Sequence, residues 1–160
     1  MSGHVPMLPD AGRLDQLGAL RTNAFAVLVM LLVEFSLGMW VNLEAKVPAS
    51  DHGTNLALAI VRAILDGPVG LSLHALLGLL LVVGATAALI RAVRVGEARW
   101  TAPAGLGLAS VILAALSGAR FVGTAQDGAS LAMALFAALA MLSYALILLR
   151  STPTDTNHES

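Results

Sequence analysis

Glu34 is an ionisable residue inside a long apolar run at residues 22–42. A charge within a membrane span costs about 2.5–3.5 kcal/mol on insertion scales, and such residues usually face the interior of a helix bundle. Glu34, Gly38 and Asn42 follow one another at four-residue intervals, which places them on one face of a helix. The pattern predicts a proton carrier, a cation site or a metal ligand, or else a protonated carboxyl group that holds helices together by hydrogen bonding.

His74 stands near the start of a second apolar run, at residues 70–90, with Gly78 four residues further on. From the helical rise, His74 lies about 7 Å below the membrane surface and Glu34 about 12 Å below the same surface. The two side chains are therefore expected to meet if the first two helices are neighbours. A glycine one turn from each polar residue could frame a flat ligand such as haem, or allow the helices to pack closely.

Further polar residues gather at the same side of the predicted membrane domain. His52 lies in the first connection, and Arg120 ends the third apolar run. Arg120 could pair with Asp127, or with Glu34 and so keep that carboxylate charged. This asymmetry predicts a cavity or site that opens to the outer face. The candidate polar site comprises Glu34, Asn42, His74 and Arg120, and the candidate ligands for haem b or a metal ion are His74, His52 and Glu34.

The composition identifies the class of protein that must position these residues. Hydrophobic residues make up 58% of the 160 residues and charged residues 12%, about half the share usual in soluble proteins. Disorder is excluded because it requires low hydrophobicity and high charge. The net charge of −1 gives no basis for binding nucleic acid. Without cysteine the chain has no disulfide, thiolate metal site or thiol nucleophile.

Four apolar runs are long enough to cross a bilayer, which takes about 20 residues in a helix. They lie at residues 22–42, 70–90, 101–119 and 129–149. The predicted fold is an all-α bundle of four transmembrane helices, because lipid offers backbone groups no other partner. The four-helix membrane domain spans residues 22–149, between an N-terminal tail at residues 1–21 and a disordered C-terminal tail at residues 150–160.

The distribution of basic residues predicts the orientation of the bundle. Six arginines lie on the side of the two tails and the middle connection, against three Lys or Arg on the other side. Both tails are therefore predicted to be cytoplasmic. Trp40, Trp100 and Tyr144 stand near the ends of the runs, as in an interfacial aromatic belt. A cysteine placed at Thr54 is expected to react with an impermeant reagent from outside, and one at Gly96 is not.

Two further patterns concern structure rather than chemistry. Residues 55–65 are mostly apolar but too few to span a membrane, which predicts a short interfacial helix in the first outer connection. Small residues recur in the third and fourth runs at helical spacing, and such stripes allow close helix packing. The predicted packing residues are Gly38, Gly78, Gly107, Ser110, Ala114 and Ser117, with a second stripe at Ala134, Ala138 and Met141.

Short motifs spread over the predicted outer half carry a family resemblance. They are GMWVNL at residues 38–43, Pro48, HG at 52–53, DG at 66–67 and HALLG at 74–78. In these motifs the chain resembles an uncharacterised family of four-helix integral membrane proteins from high-GC bacteria. The resemblance implies a multi-pass protein of a bacterial cytoplasmic (inner) membrane, and it implies no activity because the family has none assigned.

Three functions follow from these features. The first is a non-enzymatic accessory or scaffold module, with an outward-facing polar site around Glu34 and His74, that contacts the bilayer and a larger membrane complex or a second copy. The second is a haem- or metal-binding redox protein, although only one span contains a histidine. The third is a small proton- or cation-coupled transporter. Its membrane glutamate looks like that of the small multidrug resistance exporters, which are shorter, with tight loops and aromatic-rich binding faces.

Overall fold

The computed structural model describes residues 11–44, 61, 64–65, 68–124 and 127–150. Four long helices make up nearly all of this described part, which contains no strand. All four are long and apolar enough to cross a membrane, so the predicted four-helix membrane fold is confirmed. The helices are α1 (Ala11–Glu44), α2 (Val69–Val95), α3 (Ala98–Thr124) and α4 (Asp127–Arg150). The predicted helix at residues 55–65 lies largely outside the described residues.

The helices form a ring in chain order. α1 packs on α2, α2 on α3, α3 on α4, and α4 closes the ring against α1. The order around the bundle, which the sequence leaves open, thus follows the order in the chain. Because consecutive helices are antiparallel, the end of α1 and the start of α2 lie at the same end of the bundle, together with the end of α3 and the start of α4.

α1 is longer than the apolar run that predicts it. It begins at Ala11 and has 34 residues, which corresponds to about 51 Å against roughly 30 Å of hydrocarbon. Part of the segment predicted as a tail therefore continues the helix. Leu20 is buried and Leu17 packs against the core, so apolar contacts hold these first turns in place.

The turn between α2 and α3 is only two residues long. Gly96 adopts a left-handed conformation with φ of 79°, and its N–H donates to the carbonyl of Val93 over 3.0 Å. Glycine is favoured here because a Cβ atom would strain this conformation. The Thr101 hydroxyl donates to the carbonyl of Glu97 over 3.2 Å. These bonds satisfy the backbone at the turn and fix α2 and α3 as a tight antiparallel pair.

A proline in α3 is compensated by α4. Pro103 has no N–H, so the carbonyl of Arg99, four residues earlier, lacks its usual helical partner. The guanidinium of Arg150 donates to that carbonyl over 3.0 Å. The last residue of α4 is thereby tied to the first turn of α3.

The bundle has a closed half and a hollow half. The closed half consists of residues 11–31, 81–111 and 138–150, and the hollow half of residues 32–44, 69–80, 112–124 and 127–137. Alanines from all four helices are completely buried in the closed half: Ala24, Ala85, Ala88, Ala92, Ala104 and Ala140. The hollow half surrounds a cavity, and few of its described side chains are fully buried.

The aromatic residues of the closed half do not form an interfacial belt. Trp100 is 3% exposed and Tyr144 is 0% exposed, so the belt prediction is wrong for both. Tyr144 packs against Gly107, where an added Cβ would lie 2.8 Å from the phenol ring. Trp40, in contrast, is half exposed, as a belt residue should be.

The residues of the predicted small-residue stripes differ in burial. Gly107 and Ser110 are buried between α3 and its neighbours, whereas Ala114 and Ser117 are only half-buried. On α4 the predicted stripe is wrong at Ala138, which is exposed, whereas Ala134 is half-buried and Met141 packs against the core. The fully buried face of that helix carries Ala140, Tyr144 and Ile147. A helix this uniformly apolar gives no periodic signal to show which face meets the bundle.

Candidate functional site

The site is built on the buried stripe of α1. Leu20, Ala24, Val27 and Leu31 recur at three- and four-residue intervals and are buried in the closed half. The same stripe continues into the hollow half through Glu34 and Gly38, so the sequence places a carboxyl group where the helix faces its neighbours. On α2 the half-buried His74 and Gly78 lie in the corresponding way between the buried residues Leu71 and Leu81.

Glu34 and His74 are in contact, as predicted from their depths. The imidazole Nδ1 lies 2.9 Å from the carboxyl Oε1, with the two side chains 21% and 15% exposed for His74 and Glu34. The approach is at ion-pair distance, although its angle is not that of a hydrogen bond. The second oxygen of Glu34, Oε2, is buried and has no hydrogen-bond partner within the described part of the chain.

Two glycines make this contact sterically feasible. A Cβ atom on Gly38 would lie 3.0 Å from Cε1 of His74, and one on Gly78 would lie 3.2 Å from Oε1 of Glu34. Each helix thus offers a glycine surface to the polar side chain of the other. Both glycines lie at the contact of α1 with α2, and the arrangement is reciprocal: the glycine of one helix receives the polar residue of the other.

The same register continues along the α1–α2 interface. A Cβ atom on Gly70 would collide with the Trp40 ring at 2.5 Å, and one on Gly84 would lie 3.1 Å from a methyl group of Val27. In the closed half, the Asn23 amide donates to the carbonyl of Gly84 over 3.2 Å. These contacts fix the register of α1 against α2, and this register places Glu34 opposite His74.

Glu34 and His74 form part of the wall of a cavity between the four helices. The cavity has a volume of about 300 Å³, and residues of all four helices line it. It extends along α1 from Val41 to Leu31, a depth of about 15 Å from the helical rise. Apart from the Glu34–His74 pair and Ser130, its described lining is apolar or glycine. A cavity in this half was predicted, and its volume is at the lower end of known ligand sites.

Among the other candidate residues, Arg120 is the one whose side chain the structure describes, and it does not line the same cavity as this pair. Arg120 is exposed and lies in the wall of a second cavity with Ser117, Gly128, Ala129 and Ala132. Asn42 lies in the last turn of α1, and its side chain is outside the described residues. His52 is also outside them. Of the predicted four-residue polar site, the structure therefore brings Glu34 and His74 together and places Arg120 in the wall of another cavity.

The proposed ligand set for haem or a metal gains no support. Within residues 11–44, 61, 64–65, 68–124 and 127–150, no three His, Cys, Asp or Glu side chains come together in a way that could hold a metal ion. His74 directs Nδ1 to a carboxylate rather than to a second histidine. The participation of His52 remains an untested prediction.

Glu97 and Arg99 make polar contacts in the closed half that the sequence does not predict. Glu97 pairs with both Arg13 and Arg99, which joins the start of α1 to the α2–α3 turn. Arg99 also lies 5.0 Å above the centre of the Trp100 ring. Glu97 stands among arginines in the middle connection, and this could have suggested a local ion pair, but nothing in the sequence points to Arg13.

The fold and site define a small multi-pass membrane protein with a buried acid–base pair beside an apolar cavity. No protein family, curated protein or solved structure matches the chain. The resemblance to a bacterial four-helix family therefore stays a prediction.

Proposed function

We propose that the protein is a non-enzymatic membrane module whose hollow half binds a small lipid-soluble molecule, with Glu34 and His74 as the polar contacts. The observation that carries this proposal is the position of the pair in the wall of a four-helix cavity. A pair that served only to join two helices would need no space beside it. Here the space reaches about 15 Å into the bundle and is bordered by α3 and α4 as well.

The chemistry of the wall favours binding over catalysis. Its described side chains include one carboxyl, one imidazole and one hydroxyl, and the rest are apolar or glycine. Ligand sites commonly combine a largely apolar lining with few polar groups that set orientation. The closed half supplies the rigid support for such a site, since its buried alanines leave little room for the helices to shift.

A cavity-filling variant tests the proposal. Ala114 lines the cavity on α3, so Ala114→Leu should occupy part of the space that a ligand needs. Ala109, exposed on the same helix, gives the control Ala109→Leu. Equilibrium dialysis of naphthalene against the protein in detergent, corrected for uptake by detergent alone, should show saturable binding to the wild type and to Ala109→Leu. Ala114→Leu should bind at least tenfold more weakly. Equal binding by all three proteins would contradict a site in the cavity.

The hollow half is proposed to face the outside of a bacterial cytoplasmic membrane. Its support is the excess of arginine at the opposite end, where Arg13, Arg91, Arg94, Arg99 and Arg150 lie. The chain has no cysteine, so single-cysteine labelling in intact cells has no background. Thr54→Cys should react with an impermeant maleimide, and Ala98→Cys, beside the α2–α3 turn, should react only after lysis. The reverse pattern would invert the orientation.

A further inference from the structure

We infer that the cavity selects an electrically neutral molecule that carries a hydroxyl group, such as an alcohol or a phenol on an apolar body. This inference rests on the proposed function and names the chemical class of its ligand. It is drawn from the charge balance of the wall and from the buried acceptor at Glu34.

The wall of the cavity sets one acidic side chain against one basic side chain. The described wall contains one acid and one base in contact, Glu34 and His74, and no other ionisable side chain. The described wall thus holds equal numbers of acidic and basic side chains. An ionic ligand would add a charge without a matching partner in surroundings of low polarity, which is strongly unfavourable. A neutral ligand leaves the balance intact.

The free acceptor is the second argument. Oε1 of Glu34 lies 2.9 Å from Nδ1 of His74 and rests against Gly78, whereas Oε2 is buried without a partner among the described residues. A buried acceptor without a hydrogen bond is destabilising. The terminal torsion of a glutamate is soft, so a small rotation can present Oε2 to the cavity. A ligand hydroxyl can then donate to it and satisfy this acceptor.

The shape of the wall is the third argument. The polar pair lies on α1 and α2, while the facing lining from α3 and α4 is apolar or glycine apart from Ser130 and includes Val111, Ala115, Met133 and Ala137. A molecule seated here therefore meets polar groups on one side and apolar surface on the other. This arrangement suits a ligand with its hydroxyl group at one end and a hydrocarbon ring or chain at the other.

The inference is tested with probes that share one ring and differ in the head group. 1-Naphthol carries the hydroxyl donor, 1-methoxynaphthalene lacks it, and 1-naphthylmethylammonium and 1-naphthoate carry opposite charges. Affinities are measured by dialysis as above, with Ala114→Leu as the reference for uptake outside the cavity. 1-Naphthol should bind at least fivefold more tightly than 1-methoxynaphthalene, the factor given by one hydrogen bond of about 1 kcal/mol, and both ions should bind more weakly than either.

Variants at Glu34 test whether this side chain causes the preference for a ligand with a hydroxyl group. In Glu34→Leu the preference for 1-naphthol over its methyl ether should fall to about one, while the ether still binds. Because the readout is a ratio within one protein, a modest loss of stability does not affect it. If Glu34→Leu does not fold, Glu34→Gln provides the second measurement, and its preference should lie below that of the wild type. A preference retained in the folded variant would overturn the role of Glu34.

The outcomes separate the two proposals. If no naphthalene probe distinguishes the wild type from Ala114→Leu, the binding cavity itself is wrong. If the neutral probes bind with equal affinity, or either ion binds more tightly than 1-naphthol, the cavity stands and the inferred ligand class is overturned.

Discussion

The two halves of the bundle use small residues in opposite ways. In the closed half, alanines let the four helices approach until the interior is filled, and Ala85, Ala88 and Ala104 are completely buried. In the hollow half, the small residues Ala114, Ala115 and Gly118 lie around a space of about 300 Å³. Small side chains therefore do not by themselves produce close packing. The result depends on whether the facing helix fills the room that they leave.

The two halves of the bundle also differ in the surroundings of their polar groups. In the closed half, Trp100 Nε1 and Tyr144 Oη are buried without hydrogen-bond partners within the described chain, and tight apolar packing surrounds them. In the hollow half, Glu34 and His74 contact each other across two glycines. The apolar packing of the closed half stabilises the bundle even though two buried polar atoms lack partners within the described chain. The hollow half keeps its polar side chains beside the cavity.

The strongest test of the comparison places the same substitution in both halves of α3. Ala104→Leu adds three carbons to a filled interior and should lower the free energy of unfolding by about 1–3 kcal/mol. Ala114→Leu extends into the cavity and should change it by less than about 0.5 kcal/mol. Unfolding in mixed micelles, followed by circular dichroism, measures both. Equal losses would show that the hollow half is as filled as the closed half.

The next effect concerns the coupling of Glu34 and His74. A double-mutant cycle with Glu34→Gln and His74→Asn should give an interaction energy of about 1–2 kcal/mol, because the side chains touch in a partly buried site. Ser36 provides the control, since its hydroxyl bonds to the carbonyl of Leu32 on its own helix. The cycle of Glu34→Gln with Ser36→Ala should show no coupling. Additive effects in the first cycle would mean that the pair contributes nothing as a pair.

Tyr144→Phe should stabilise the closed half. The variant removes a buried hydroxyl that has no partner among the described residues, so the unfolding free energy should rise by about 1 kcal/mol. Ser143→Ala is the opposite case on the same helix, because the serine hydroxyl donates to the carbonyl of Leu139 over 2.8 Å. That variant should lose stability. A loss in Tyr144→Phe would indicate that the hydroxyl is bonded after all.

The smallest change in the free energy of unfolding is expected at the end of the closed half where Glu97 lies. Glu97→Gln removes the partner of Arg13 and Arg99, whose side chains are largely exposed, so the loss should stay below about 1 kcal/mol. The loss should shrink in 1 M salt, which screens exposed charges. Asp15→Asn, at an exposed position of α1, is the matched control. A salt-independent loss would show that Glu97 acts through packing instead.

The fold follows from the sequence because lipid permits few solutions. Four apolar runs of sufficient length require four helices, and the helical rise places Glu34 and His74 within one turn of each other in depth. The glycines opposite these residues are also recognisable from spacing. What spacing does not reveal is which helix receives which glycine, since this depends on the register between α1 and α2.

The rotation of each helix about its own axis is the second feature that the sequence does not reveal. Tyr144 and Trp100 stand near helix ends, where aromatic residues commonly face the interface, but the structure turns both inward. The link between Pro103 and Arg150 through the Arg99 carbonyl is another case. The proline predicts a free carbonyl, but only the packing of α4 on α3 reveals the donor.

All four helices line the cavity. A bound molecule would therefore stabilise the complete bundle rather than any one pair of helices. The α2–α3 pair, joined by its short turn, contains only part of the wall. During biosynthesis the site is therefore complete only after α4 has packed against α1. A ligand at one hundred times its dissociation constant would then favour the finished bundle by about 2.7 kcal/mol over every partly assembled form that cannot bind it. Ligand supply would thus govern how much protein accumulates as well as how much is occupied.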